Sequence, residues 1–333
     1  MTTMFRGAVI GIGGIGKWHA AMQRDTKRVN VVALCDPNEA TREWATKDFP
    51  EAAFYTSATA MLAREKLDLV SVVTPHDQHA PLAIEAMNRG VNVVVEKPMA
   101  TTYEDAAAMA AAATRTGCFV TVFHNRRLDP WFLAAKKAID EGLLGRIIEI
   151  NIAVNYGPTA ATWRGFMKAG GGLQFDWGAH LVDYSLQWMG NDVRAVAGFG
   201  YRTPGKPVEE VEDHAVTHIY FKSGAVAHLT SRGKAFCDPQ RFHIVGEKGT
   251  LTDDWNWGDN GFVRVWTTVG GHRAEVQVPY VKMPTQAFYD NVAAHLADKT
   301  PLLVSADSAA RVINVLCAAR QSAAQGSMPL PLA

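Results

Sequence analysis

Over the first third of the chain, short apolar runs alternate with segments whose apolar positions recur every three or four residues. GAVIGIG (7–13), VVALCD (31–36), LDLVSVVTP (67–75), VNVVVEKP (91–98) and CFVTVFH (118–124) read as strands. Between them the pattern predicts helices over 17–25, 38–48, 78–88 and 103–116, the last with acidic residues early, Arg115 late and Gly117 as its stop. Strand and helix in alternation predict βαβ units around a parallel sheet. Beyond His124 the texture changes. After a helix over 129–141, stopped by Gly142, long alternating runs dominate: RIIEINIAVNY (146–156), DVRAVAGFGY (192–201), HAVTHIYF and AVAHLTSRG (214–233), RFHIVGEKGTLTD (241–253) and FVRVWTTVGGHRAEVQVPY (262–280). Lys222-Ser223-Gly224, Gly246 to Gly249 and Gly270-Gly271 are hairpin signals, and helices follow over 285–297 and 306–323. The expected class is α/β, with a doubly wound parallel sheet over 1–123 and an α+β domain with a large, mostly antiparallel open sheet over 124–333.

GGGLQFDWGAHLVDY, Gly170 to Tyr184, stands apart. Asp176, His180, Asp183 and Gln187 share one helical sector beside an apolar stripe of Leu173, Trp177, Leu181, Tyr184 and Trp188. A solvent-facing stripe is ordinarily dressed with Lys and Glu, so the pattern leaves two readings open, an exposed face or a site.

The remaining bulk properties narrow the field. The chain has 333 residues and 48% hydrophobic content, enough for two cores, and its 33 basic residues balance 33 acidic ones. No overall field favours nucleic acid or an anionic membrane, so the expected partner is a small molecule. Cys35, Cys118, Cys237 and Cys317 form no CxxC pair and read as reduced thiols. With no signal-like leader and no span of about 18 apolar residues, the expected location is the cytoplasm. Too few helices are available to cover both faces of the second sheet, which predicts a homo-oligomer, a dimer or a tetramer.

Two motifs carry chemistry. Gly11-Ile12-Gly13-Gly14-Ile15-Gly16 is a GxGxxG turn between a strand and a helix, and Asp36 ends the next strand twenty residues after Gly16. That combination predicts a dinucleotide with its pyrophosphate at the helix N-terminus and its adenosine ribose on the carboxylate. A fixed carboxylate followed by Pro37 repels a 2′-phosphate and predicts NAD rather than NADP, with Arg42 nearby as the opposing charge. Glu96-Lys97-Pro98 closes the fifth strand, at the edge where such sheets place ligands. A lysine there can hold a developing alkoxide.

With GIGGIG, TPHDQH (74–79), EKPMA (96–100), FHNRRLDP (123–130) and GGGLQFDWGAHLVD (170–183) in this order, the chain resembles the Gfo/Idh/MocA oxidoreductases over nearly its whole length. The resemblance implies a Rossmann domain joined to an open-sheet domain, usually oligomeric, acting on sugars or cyclitols, with Lys97, Asp176 and His180 as catalytic set. Thr74, Pro75, His79 and Glu96 join the glycine loop on the cofactor side, His79 also starting the next helix. Asn125 and Arg126 face the crevice in the family. Trp163 and Arg164 offer the apolar platform and hydrogen-bond fork that sugar rings use. His76 and Leu128 depart from the asparagine and the aromatic common at those places.

The expected function is an NAD-dependent dehydrogenase acting on a secondary hydroxyl of a sugar, glycoside or cyclitol. His180 is the base, with Asp176 one turn earlier holding the imidazole or a neighbouring hydroxyl, and the glycines let the chain pass close to cofactor and substrate. The alternatives are an NAD-retaining glycosidase of the same fold, a non-catalytic NAD or sugar sensor, and a reading of Asp176, His180 and Asp183 as ligands of a divalent ion, although no metal site is expected. Pocket shape is assigned to loops near 156–168, 233–240 and 254–259.

Overall fold

In the computed structural model, residues 4–155, 162–205, 207, 210–233, 235–254 and 260–332 are described. Residues 156–161, Lys234 and 255–259, parts of the expected pocket loops, lie outside the described residues. The chain runs β1 Phe5–Ile10, α1 Gly14–Asp25, β2 Val29–Cys35, α2 Arg42–Asp48, β3 Ala53–Tyr55, α3 Ala58–Arg64, β4 Leu69–Val72, α4 His79–Asn88, β5 Asn92–Val95, α5 Tyr103–Thr116 and β6 Val120–Val122. It continues with α6 Pro130–Asp140, β7 Ile147–Asn155, α7 Leu173–Met189, β8 Val193–Tyr201, β9 His214–Phe221, β10 Val226–Arg232, β11 Phe242–Gly246, β12 Gly249–Asp253, β13 Phe262–Val269, β14 His272–Pro279, α8 Ala287–Asp298, α9 Ala306–Ala324 and β15 Leu330–Pro331.

The first sheet has the order β3-β2-β1-β4-β5-β6, and every pairing in it is parallel. Strand β4 is buried at every position and β5 at all but its first, as apolar runs covered on both faces should be. The expected helix over 103–116 coincides with α5 because its ends are written locally. The Thr102 hydroxyl accepts from Asp105 N–H, and Gly117 takes φ 73° to close the other end. Strand β3 and helix α3 are elements that the hydrophobic pattern does not announce. The three residues of β3 are only half-buried, and α3 starts at a Ser57 cap that accepts from Ala60 N–H.

The second sheet has nine strands in the order β14-β13-β12-β11-β7-β10-β9-β8-β15. It is antiparallel apart from the β7–β10 pair, and the three hairpin signals fall at β9–β10, β11–β12 and β13–β14. Along β9, Ala215, Thr217, Ile219 and Phe221 are buried, and in β10 the same holds for Ala227, Leu229 and Ser231. Helix α7 packs on β7, β9 and β10, and α6 on β13 and β14. The other register of β9 and β10 is half-buried and carries His218 and His228, whose Nδ1 atoms lie 2.7 Å apart.

By its internal contacts the chain divides into Met1–His124 with Pro284–Ala310, and Asn125–Met283 with Arg311–Ala333. The first boundary lies one residue from the expected one. The segment Pro284–Ala310 corrects the expectation, because it belongs to the first unit and not the second. Its reason is specific: Tyr289 of α8 shares hydrogen bonds with Ser71 at 2.7 Å and His19 at 2.6 Å, Phe288 meets Phe123 edge to face, and Thr121 Oγ1 donates to Val304 O. Among the described residues no helix is long and apolar enough to cross a membrane.

Within the second unit, a Cβ on Gly198 of β8 would lie 1.9 Å from the carbonyl oxygen of Ala319 in α9. Gly198→Ala should therefore lower the unfolding free energy by about 1–3 kcal/mol in urea denaturation. A wild-type midpoint in this variant would show that α9 moves away without cost.

Candidate functional site

In the first unit, the candidate chemistry begins at the turn after β1. Gly11 has φ 91°, and a Cβ there would lie 2.3 Å from Val73 O; one on Gly16 would lie 1.8 Å from Gly11 O. Those glycines let strand, turn and helix pack. Gly13 and Gly14 are different, since both are exposed and a Cβ on either would meet nothing within 4 Å. No side chain caps α1 and no acidic residue occupies its first turn, so its N–H groups are open to an anion. Ile12 is buried and Ile15 exposed.

Asp36 follows β2. Its Oδ2 accepts from Ile12 N at 2.7 Å and its Oδ1 from Asn38 N at 2.9 Å. Each oxygen keeps a further lone pair, which suits the two hydroxyls of a ribose. The glycine turn, the uncapped helix and this carboxylate together fit a dinucleotide. Arg42 points its guanidinium at Glu39, with Nε to Oε2 at 2.7 Å and the NH2 nitrogen to Oε1 at 3.0 Å, and lies over the Phe54 ring.

At the carboxyl ends of β4 and β5, His79 starts α4 as expected. Its buried ring spans two backbone carbonyls, Nδ1 at 2.8 Å from Pro98 O and Nε2 at 3.0 Å from Thr74 O. The ring thus ties the Thr74-Pro75 turn to the EKP turn, and burial pushes its pKa down. His76, also buried, sits with its ring 5.5 Å from that of His79.

Glu96 turns its carboxylate inward, where Oε2 accepts from Lys97 N at 2.9 Å and Oε1 lies 3.1 Å from His19 Nε2. A carboxylate only accepts, so Nε2 carries the ring proton. A neutral ring then accepts at Nδ1 from Tyr289 OH, whose oxygen takes the Ser71 hydroxyl, whose oxygen takes the Gln23 amide at 2.8 Å. Burial alone raises a carboxyl pKa, but the His19 hydrogen bond and the positive charge of Lys97 hold Glu96 below the ordinary value. Glu96 is therefore a fixed anion beside Lys97, which is half-buried.

In the second unit, α7 is buried at every position except Gln187 and Met189. Asp176 is 7% exposed and His180 5%, which rules out the solvent-face reading of the stripe. The Trp177 ring lies 5.7 Å from that of His180, and the Arg126 guanidinium sits 4.3 Å over Trp177. Arg126 also donates to Asp129 at 3.0 Å, and Tyr184 OH donates to the same oxygen at 2.9 Å. Burial raises the pKa of Asp129 against the opposing pull of Arg126 and Tyr184. Asp183 is held by Arg127 in a buried two-bond pair, Nε to Oδ2 at 2.8 Å and the NH2 nitrogen to Oδ1 at 2.5 Å. That use of Asp183 argues against a three-ligand metal site. Asn125 begins the 3-10 turn 125–128 that carries both arginines and is half-buried.

The glycines before α7 receive a different explanation from the expected one. A Cβ on Gly171 would lie 2.2 Å from Arg164 O, and one on Gly172, at φ 115°, would lie 2.8 Å from the Glu212 carboxylate. The room they leave is filled by the protein itself. Glu212 Oε1 accepts from Gln174 N at 2.8 Å and so caps α7, while burial raises its pKa against that hydrogen bond. Trp163 and Arg164 are half-buried, with the guanidinium 4.4 Å over the indole. Glu212, Arg127, His19 and Tyr289 are the residues that sequence reasoning misses. Only Arg127 stands in a quoted motif.

The sequence profile of the oxidoreductase family with an NAD-binding Rossmann fold, Gfo/Idh/MocA, matches residues 5–124, and the profile of the Gfo/Idh/MocA C-terminal domain matches 132–252. D-apiose dehydrogenase of Paraburkholderia graminis is 36% identical, over 74% of this chain and 67% of its own. Two enzymes of Bacillus subtilis are each 28% identical: scyllo-inositol 2-dehydrogenase (NAD(+)), over 75% of this chain and 74% of its own, and scyllo-inositol 2-dehydrogenase (NADP(+)) IolW, over 84% and 83%. Among solved structures, the WlbA dehydrogenase from Bordetella pertussis, in complex with NADH and UDP-GlcNAcA, is 26% identical, covers 99% of both chains and has a TM-score of 0.81.

Removing one partner of a buried ion pair strands the other charge. Asp183→Ala should thus cost about 3–5 kcal/mol of stability in urea denaturation, and Asp183→Ala with Arg127→Leu less than that. A single variant within about 0.5 kcal/mol of wild type would mean that the pair does not hold α7.

Proposed function

The chain belongs to the Gfo/Idh/MocA family of NAD-binding oxidoreductases that act on hydroxyl groups, and on that premise we propose that it oxidises one secondary hydroxyl of a sugar, glycoside or cyclitol. The observation that carries this reading is the burial of Asp176 and His180, one turn apart on α7, beside the Trp177 ring.

Oxidising an alcohol requires its hydroxyl proton to leave, and bound NAD supplies the acceptor for the hydride. In the proposed reaction His180 takes that proton on an imidazole nitrogen. Asp176 orients the ring or a neighbouring hydroxyl, and Lys97 stabilises the oxygen as it becomes negative. Asn125, Trp163 and Arg164 serve substrate binding. Arg126, engaged with Asp129 and Trp177, shapes the site through those contacts. Ile12, Thr74, Pro75, His79 and Glu96 support NAD binding chiefly by holding the turns that receive it. The named relatives act on scyllo-inositol and D-apiose, which favours a polyol or sugar substrate. The half-buried register of β9 and β10 supports a homodimer or homotetramer, and four free cysteines suit the cytoplasm.

Incubation with NAD and a panel of sugars, inositols and glycosides should accumulate NADH with at least one polyol. Conversion of a glycoside without net NADH would select the NAD-retaining glycosidase instead. His180→Asn should lower turnover by roughly 10² to 10⁴ and abolish the fall of kcat/KM toward acid pH, with NAD affinity nearly unchanged. Lys97→Met should also be severely impaired, and the double variant should lose less than the product of the two single losses. Near-normal turnover in a folded His180→Asn protein would remove the histidine from the mechanism.

The oligomer is tested separately. Light scattering should give a multiple of 36.2 kDa, and a monomer at micromolar concentration would refute it.

A further inference from the structure

The turn between β2 and α2 holds a cation in reserve. Asp36 is the residue suited to an adenosine ribose, and Glu39 and Arg42 follow it within two short turns. The Arg42 guanidinium is engaged on its Nε edge by both oxygens of Glu39, at 2.7 and 3.0 Å, and its plane rests 4.4 Å over the Phe54 ring. Both partners of the ion pair are largely open to water, with side chains 49% and 62% exposed, and they line a surface cleft with Ala40, Glu43, Thr46 and Lys47.

We propose that Glu39 sets the cofactor preference of this chain by withholding Arg42 from a 2′-phosphate. A nucleotide bearing that group meets two carboxylates, Asp36 and Glu39, while the guanidinium best shaped to receive it is already satisfied. NAD lacks the phosphate and needs only the ribose hydroxyls that Asp36 can accept. The ion pair is exposed and hence weak, so a change at Glu39 alone is enough to release Arg42. The Phe54 ring, 4.4 Å from the guanidinium, still holds the freed side chain by its face.

The test uses the purified full-length protein and direct titration with NAD, NADP and 2′,5′-ADP, which isolates the phosphate-bearing end, so it does not depend on turnover or on any substrate. Glu39→Gln should tighten NADP and 2′,5′-ADP by about three- to tenfold and change NAD affinity by less than about twofold. Adding Arg42→Ala to Glu39→Gln should abolish the gain. Arg42→Ala alone should leave NADP as weak as in the wild type. A gain that survives in the double variant would overturn the proposal, since simple repulsion by Glu39 would then suffice. No gain in Glu39→Gln, or a parallel loss of NAD affinity, would overturn it equally, the latter by showing that the pair only shapes the turn.

Discussion

A carboxylate largely withdrawn from water stays ionised only if its surroundings donate to it, and much of the first unit is arranged to meet that demand at Glu96, whose side chain is 13% exposed. Gln23, Ser71, Tyr289 and His19 form a line of donors, each hydrogen bond running in the same direction, that ends on one carboxylate oxygen, while the backbone of Lys97 serves the other. Because the line passes through Tyr289, it requires α8 to pack on the parallel sheet. The late segment Pro284–Ala310 is drawn back to the first unit for that reason, together with apolar contacts of Ala293 and Leu296 around Phe5 and Val29. The result is a negative charge of fixed position next to the lysine proposed to hold an alkoxide.

The second unit solves the same problem with a pair of opposite charges. Helix α7 is buried nearly all round, so every polar group on it must be answered from a neighbouring element. Arg127 answers Asp183, Asp129 answers Tyr184, and Glu212 answers the open N–H groups of the first turn. Arg126 and Arg127 are adjacent and take different duties. One is spent on holding the helix, and the other bridges Asp129 and the Trp177 ring. His180 and Asp176, the proposed base and its carboxylate, are thus carried on a helix whose rotation and register are fixed from three sides, which is the condition for holding a reacting group in place.

What the sequence makes legible follows from how local each signal is. The helix over 103–116 was readable because its cap, charges and terminal glycine lie within its own span, and the hairpins because each turn is a few residues long. The tight turn between β1 and α1 was readable from its glycines. The functions of GGG before α7 were not, because room for a ligand and room for one's own backbone call for the same residue; only the Arg164 carbonyl and the Glu212 carboxylate decide between them. Asp183 could not be separated from Asp176 and His180 by helical phase, since its partner Arg127 lies 56 residues away. The expected division of the chain failed at 284–310 for the same reason. Nothing in the helical pattern there records that Tyr289 meets Ser71 from 218 residues away.

Asp36 shows how one residue can limit the ways in which a site changes. Its carboxylate is proposed to accept ribose hydroxyls, yet one oxygen also holds Ile12 N inside the glycine turn and the other begins the turn that carries Glu39 and Arg42. Replacing it removes the repulsion toward a 2′-phosphate and loosens the pyrophosphate-binding turn in the same step, so the gain in one cofactor is offset by a loss common to both. Glu39 carries no such second duty toward the glycine turn. Its contacts are with Arg42, and its side chain is largely in water. A binding turn built this way separates holding the dinucleotide from choosing between its two forms, and leaves the choice on a surface ion pair whose replacement disturbs little else.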